Sequence, residues 1–247
     1  SMIMSSANNL KKSLLVLALA TTLAACSDND NDPVVEEPVV VEPIVVEPVI
    51  SEFTITFSNL TAGQPLSPLS VIAFEDEAPW TFGTTASVGL EMLAESGANE
   101  EYLNYESALA AVSAEGAIGP GETTTVIITV EEQETLNLSF AAMLGNTNDA
   151  FTGLSSLDVS TLEVGGSLSR TTTAYDAGTE ANTETAETVP GPTASGEGFN
   201  EIRDDTADII TMHPGIVSNQ DGLSTSALGV EHKFDNPVSK IVITRTQ

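Results

Sequence analysis

The segment FTITFS at residues 53–58 has the clearest strand pattern in the sequence. Apolar and hydroxyl side chains alternate through all of its positions, from Phe53 to Ser58. A period of two places every second side chain on the same face of a β-strand. We therefore expect a strand whose apolar face lies against a core and whose hydroxyl face is turned towards solvent.

Further segments read as strands by the same criteria, and most of them are bounded by Gly, Pro, Asn or Asp. They are residues 69–74, 123–131, 136–144, 167–175, 207–212 and 238–244. Short strands at this density predict an antiparallel β-sandwich over residues 53–247.

Two segments between the second and third of these strands have helical patterns. Residues 86–96 place Leu90 and Leu93 at helical spacing and end before Gly97. Residues 99–115 begin with the potential cap Asn99 and end before Gly116. The sequence thus predicts an all-β fold with a short helical insertion. Residues 179–200 are rich in Thr, Glu, Gly and Pro and are predicted to form a long exposed loop.

The N-terminal segment has the pattern of a targeting signal. Lys11 and Lys12 precede an apolar run at 14–23, which ends in Leu-Ala-Ala-Cys at residues 23–26. The run is long enough for a signal peptide but too short to span a bilayer. The Leu-Ala-Ala-Cys stretch resembles the lipobox of bacterial lipoproteins, which implies removal of residues 1–25 and lipid attachment at Cys26. By the same resemblance, Ser27 favours the outer membrane, with the protein facing the periplasm or the cell surface.

Residues 26–52 have the composition of a spacer. An Asp/Asn run is followed by proline at every fifth position, with β-branched residues and Glu between the prolines. Proline removes backbone donors and like charges repel, so an extended acidic tether is expected. We expect the folded domain to begin at Phe53.

The charge balance restricts the partners. The chain has 36 acidic residues and 7 Lys or Arg, which gives a formal net charge of −29. This negative charge disfavours nucleic acid and anionic lipid surfaces as partners, because like charges repel. The single cysteine excludes an intrachain disulfide and a cysteine zinc site, and His213 and His232 are too far apart for a helical zinc motif.

Segments through nearly the whole of residues 53–247 resemble the spondin domain, a module of extracellular matrix proteins such as F-spondin and mindin and of many bacterial secreted proteins. The similar segments are FSNLT at 57–61, LSP at 66–68, AS at 86–87, LAESG at 93–97, residues 139–144, TNDAFTGL at 147–154, YDAGTE at 175–180, HP at 213–214 and residues 240–245.

This resemblance implies a C2-like β-sandwich that binds one calcium ion in its end loops and works by adhesion rather than catalysis. The carboxylates that bind the metal in the family correspond to Asp149, Asp176 and Glu180. Many animal members have Asp where this chain has Glu180. Oxygen ligands of this kind suit calcium, which takes 6 to 8 of them. Asp149 and Asp176 could instead be ordinary turn residues, and Glu95 is expected to pair locally at a helix end or to line the same end of the sandwich.

Three functions follow as expectations. The first is a lipid-tethered, calcium-binding adhesion module for an unknown protein or glycan, without catalytic activity. The second is a structural subunit of a surface assembly. The third is a carboxylate-based hydrolase using Asp204 with Asp208, or Asp149 with Asp176.

Overall fold

The computed structural model describes residues 47–203 and 207–247, and these described residues fall within one compact unit. The predicted signal peptide, Cys26 and most of the tether lie outside the described residues. None of the helices in the two described ranges is long and apolar enough to cross a membrane. The same ranges contain nine strands and two short α-helices, which confirms the all-β fold with a small helical insertion.

The strands form one antiparallel path in the order β3-β2-β5-β6-β7-β9-β1-β4, and β8 pairs with β7 outside this path. In chain order the elements are β1 (Ile50–Asn59), β2 (Ser70–Phe74), α1 (Val88–Ser96), α2 (Glu100–Leu103), β3 (Ala110–Ser113), β4 (Thr123–Glu131), β5 (Asn137–Met143), β6 (Ala150–Asp158), β7 (Ser167–Asp176), β8 (Thr211–Met212) and β9 (Ser239–Arg245).

Strand β7 joins the two halves of this path. Its residues 167–172 pair with β9, and its residues 173–176 pair with β6. At the crossover the buried Thr172 hydroxyl lies 2.6 Å from the Thr152 hydroxyl and also bonds to Ser239. These bonds satisfy polar groups that would otherwise be costly to bury between the two halves.

The core is built on the alternation that the sequence shows in β1. Phe53, Ile55 and Phe57 are fully buried, whereas the hydroxyl residues between them are half-buried. They pack in one cluster with Leu138 and Phe140 of β5. Each such side chain contributes about 1.5–3 kcal/mol by leaving water, so this cluster is the main source of stability.

Helix α1 confirms the first helical prediction, with capping residues at both ends. The Ser87 hydroxyl accepts from the Leu90 N–H at 3.2 Å, and Gly97 ends the helix with a φ of 74°. A left-handed residue of this kind favours glycine.

The second helical prediction was wrong. Instead of a helix over residues 99–115, α2 covers only four residues, and residues 110–113 form strand β3. Strand β3 pairs with the edge of β2, for example Ala110 with Ala73. Pairing with an available strand edge outweighs the helix propensity of alanine.

The structure differs from the sequence predictions at three further places. Strand β1 begins at Ile50, three residues before the expected start, and the segment predicted at 207–212 is a strand only at Thr211–Met212. Strand β6 was not predicted, because Gly153 interrupts its pattern. A Cβ on Gly153 would lie 1.8 Å from the Phe140 carbonyl oxygen, so glycine permits the close approach of β5 and β6.

Residues 179–200 are all described and contain neither helix nor strand, as predicted, but they are not simply exposed. Val189 is fully buried in a small cluster with Ile216 and Leu228. This loop therefore packs against the later part of the chain.

The two ends of the sheet are formed by different parts of the chain. At one end the chain enters β1 and leaves β9, and Glu52 accepts a backbone hydrogen bond from Thr246 at 2.8 Å. The turn before β6 and the turn after β7 lie at the other end, because Asp176 lies beyond the residues of β7 that pair with β9. The length of β1, about 30 Å at about 3.3 Å per residue, separates these ends.

Candidate metal centre

Asp149 and Asp176 come together because they flank neighbouring strands. Asp149 immediately precedes β6 and Asp176 ends β7, where it pairs with Ala150. The N–H of Ala177 also donates to the Asp149 carbonyl at 3.1 Å. The structure thus brings together two of the three carboxylates that the sequence singles out, on turns at one end of the sheet.

Gly178 shapes the turn that follows β7. It has a φ of 73°, and a Cβ at this position would lie 2.4 Å from the Ile209 carbonyl oxygen. Its N–H donates to Asp176 Oδ1 at 2.8 Å, and Asn182 Nδ2 donates to Asp176 Oδ2 at 2.6 Å. The turn therefore requires glycine and holds Asp176 in a fixed orientation.

Asp149 lies at the centre of the cluster and is fully buried. Its Oδ2 accepts from the N–H groups of Thr179 at 3.0 Å and Glu180 at 3.2 Å. Its Oδ1 receives no hydrogen bond from any described residue. Burial first, and the negative charge of Asp176 second, raise the pKa of Asp149 to about 7, although the two N–H donors oppose this shift.

Glu180 and Asn148 adjoin Asp149. Glu180 is buried and contributes its backbone N–H to Asp149. Asn148 Nδ2 donates to the Ala181 carbonyl at 3.1 Å, while within the described part of the chain no donor reaches its Oδ1. The amide oxygen of Asn148 is a neutral oxygen beside the carboxylates that the sequence alone did not single out.

Glu95 approaches the same cluster from helix α1. It is fully buried, its Oε2 accepts from the Asn200 N–H at 2.9 Å, and the Thr179 side chain lies close by. Burial raises the pKa of Glu95 above its usual range. Glu95 was expected either to pair locally at the helix end or to line the same end of the sandwich as Asp149, and the structure gives the second position.

The cluster is not already arranged as a closed metal shell. Over residues 47–203 and 207–247, no group of three or more His, Cys, Asp or Glu side chains is positioned so that it could hold a metal ion. The calcium site at Asp149, Asp176 and Glu180 therefore stays a prediction.

The remaining residues considered from sequence have other roles or lie outside the described part. His213 Nδ1 accepts from the Gly215 N–H at 3.0 Å and its ring packs on Phe234, while its buried Nε2 has no hydrogen-bond partner among the described residues. Asp208 forms an ion pair with Arg203 at 2.6 Å. Asp204 and Cys26 lie outside the described residues.

Arg203 also binds helix α1, a contact that no sequence pattern indicated. Its Nη2 lies 2.7 Å from Glu91 Oε2, and the Glu91 side chain is almost completely buried. The pair fixes Arg203 against the helix that carries Glu95.

Comparison with protein-family models gives no match, and comparison with curated proteins finds no similar sequence. The resemblance to the spondin domain therefore rests on the segments quoted above.

Proposed function

We propose that this chain is a calcium-binding, non-catalytic binding module of the spondin type, carried on a lipid tether and presented to a protein or glycan partner. The observation that carries the proposal is the buried carboxylate cluster at one end of the sheet, with Asp149 at its centre. Buried carboxylates so close together destabilise a protein unless a proton or a cation balances their charge.

The chemistry of the donors suits a hard cation, and the side chains would have to move closer together to enclose it. Asp149 Oδ1 is fully buried without a donor among the described residues, and Asn148 Oδ1 beside it is in the same situation. Asp149, Asp176 and Glu180 would hold the ion, and Asn148 would add a neutral oxygen. A carboxylate has about four lone-pair sites, so Asp176 can keep its present hydrogen bonds and still bind a metal.

Calcium suits this set better than magnesium. Calcium accepts 6 to 8 oxygens in an adaptable arrangement, whereas magnesium requires near-ideal octahedral geometry. Bound calcium would supply positive charge and would connect the turn before β6 to the turn after β7. We therefore expect binding to stabilise the folded chain by mass action.

An exposed aromatic side chain near the cluster supports a role in partner binding. Phe82 is 56% exposed, and its ring packs on Tyr175, the residue before Asp176. Aromatic side chains are enriched at binding surfaces because they bury much apolar area. An exposed ring beside a cation site suits a module that engages its partner at this end.

The entry point of the chain supports the same role. Strand β1 begins at the end of the sheet opposite the carboxylates. An attachment upstream of Ile50 would leave the carboxylate end accessible. The predicted lipid anchor at Cys26 and the acidic tether fit this arrangement, and Ser27 favours the outer membrane by resemblance to bacterial lipoproteins.

Thermal unfolding with calcium and with a chelator tests the calcium part of the proposal. The wild-type protein should melt at a higher temperature with calcium, and Asp176→Asn should lose most of that increase. Asp235→Asn removes one exposed carboxylate and is the matched control. An equal melting temperature for the wild type in both buffers would contradict the proposal.

Membrane fractionation tests the tether. Cys26→Ser should abolish processing of the precursor and association with the outer membrane. Unchanged processing and membrane association would show that Cys26 is not the anchor.

A further inference from the structure

Helix α1 positions the Glu95 side chain next to the candidate metal centre. The helix ends at Gly97, whose N–H bonds to the Leu93 carbonyl at 2.9 Å. Glu95 therefore sits in the last turn, and it is only 1% exposed. The Asn200 N–H, 2.9 Å from Oε2, orients the carboxylate.

The end of helix α1 packs beside the two turns that carry the carboxylates. Ala94, which precedes Glu95, lies in one buried cluster with Phe151 of β6 and with Ala177, which follows β7. Burial is the main reason for the raised pKa of Asp149, and the negative charge of Glu95 contributes to it. Glu95 and Asp149 thus belong to one buried group of carboxylates.

Both carboxylates also keep an oxygen without a donor. Neither Asp149 Oδ1 nor Glu95 Oε1 accepts a hydrogen bond from the described residues, although both atoms are buried. Leaving a buried charged acceptor unpaired is costly. Glu91, one turn earlier on the same helix, has Arg203 as its cation at 2.7 Å, whereas Glu95 forms no ion pair within the described ranges.

We propose that Glu95 is a fourth acidic ligand of the cation site, contributed by the helical insertion and not by the end loops. The inference rests on the proposed function, because it concerns the same cation. Bound calcium would then join helix α1 to the turn before β6 and the turn after β7. Four carboxylates against one divalent ion leave the site negative, which favours a cation of high charge.

Calcium titration of the purified protein by calorimetry tests this inference, with two variants of Glu95. Glu95→Gln keeps the size and can still accept from Asn200, but it removes the charge. Glu95→Asp keeps the charge and withdraws it by one methylene. Glu101→Gln is the matched control, because it makes the same Glu-to-Gln substitution at an exposed position of α2. Melting in chelator shows whether each variant is folded.

We expect both Glu95 variants to raise the Kd for calcium by at least about tenfold, and Glu101→Gln to stay within about twofold of the wild type. A merely structural Glu95 would lower the melting temperature of Glu95→Gln in chelator without changing the Kd. That result would overturn this inference and leave the proposed function standing. A wild-type protein that binds no calcium would overturn both.

Discussion

The substitution Asp149→Asn should change the pH dependence of stability in the metal-free protein. In the folded state the pKa of this carboxyl is raised from its ordinary value of 3.8 to about 7, mainly by burial and next by the charge of Asp176. Between these pH values the folded chain keeps a proton at Asp149 that the unfolded chain has lost. The contribution of Asp149 is therefore fully present below about pH 4 and is lost as the pH rises to about 7.

The magnitude follows from the size of the shift. One pKa unit corresponds to about 1.4 kcal/mol, so the full effect is about 4 kcal/mol. About 3 kcal/mol of this falls between pH 5 and pH 8. Asparagine does not ionise, so Asp149→Asn should lack this loss. Its amide oxygen can accept from Thr179 and Glu180, but its amide nitrogen would be buried without an acceptor, at a cost of about 1–3 kcal/mol at every pH.

Urea unfolding in chelator measures this difference. Trp80 is the only tryptophan in the sequence and packs against Phe151 and Tyr175, so its fluorescence reports loss of the core. The free energy of unfolding of the wild type should fall by about 3 kcal/mol relative to Asp149→Asn between pH 5 and pH 8. Calcium at about 100 times its Kd should then add about 2.7 kcal/mol to the wild type at pH 8, and little to the variant. A difference between wild type and variant that does not change with pH would show that the folded chain does not keep a proton at Asp149.

Two further substitutions, both measured by urea unfolding, test the contacts that position the candidate metal centre. Gly178→Ala should lower the free energy of unfolding by more than about 2 kcal/mol, since the position has a positive φ and the added Cβ would meet the Ile209 carbonyl. Gly83 also has a positive φ, but it has open space around it, so Gly83→Ala should lower the free energy of unfolding by only about 1 kcal/mol. Equal losses of stability for these two variants would show that the Ile209 carbonyl does not restrict position 178. Arg203→Gln should cost about 3 kcal/mol because Glu91 would be left buried without its cation. Lys233→Gln breaks an exposed pair and should cost less than about 1 kcal/mol, and a similar cost for both variants would contradict the account.

The sheet was predictable where local pattern and tertiary environment agree. Strand β4 has the predicted bounds, Thr123–Glu131, and the apolar face of β1 is buried as expected. The alternation of these strands directly records which face meets the core. Strand β3 was not predictable, because its Ala-rich sequence favours a helix and only the open edge of β2 makes it a strand.

The candidate site was predictable only in part. The resemblance to the spondin domain pointed to Asp149 and Asp176, and the local sequence placed each in a turn, but no local pattern could show that β6 and β7 are neighbours. The approach of Glu95 to Thr179 depends on how the helical insertion packs against the end of the sheet. The bond between Asn200 and Glu95 spans 105 residues, and no local pattern records a contact of that separation.

Calorimetric titration of calcium into the wild type and Asp149→Asn, at physiological ionic strength and with excess magnesium present, measures calcium binding to the carboxylate cluster itself. The comparison of these two proteins is needed because both carry the acidic surface and the tether. These can attract calcium weakly and without saturation. We predict one saturable calcium ion per wild-type chain and none in Asp149→Asn. The absence of saturable binding to the wild type, or equal binding to both proteins, would contradict the account.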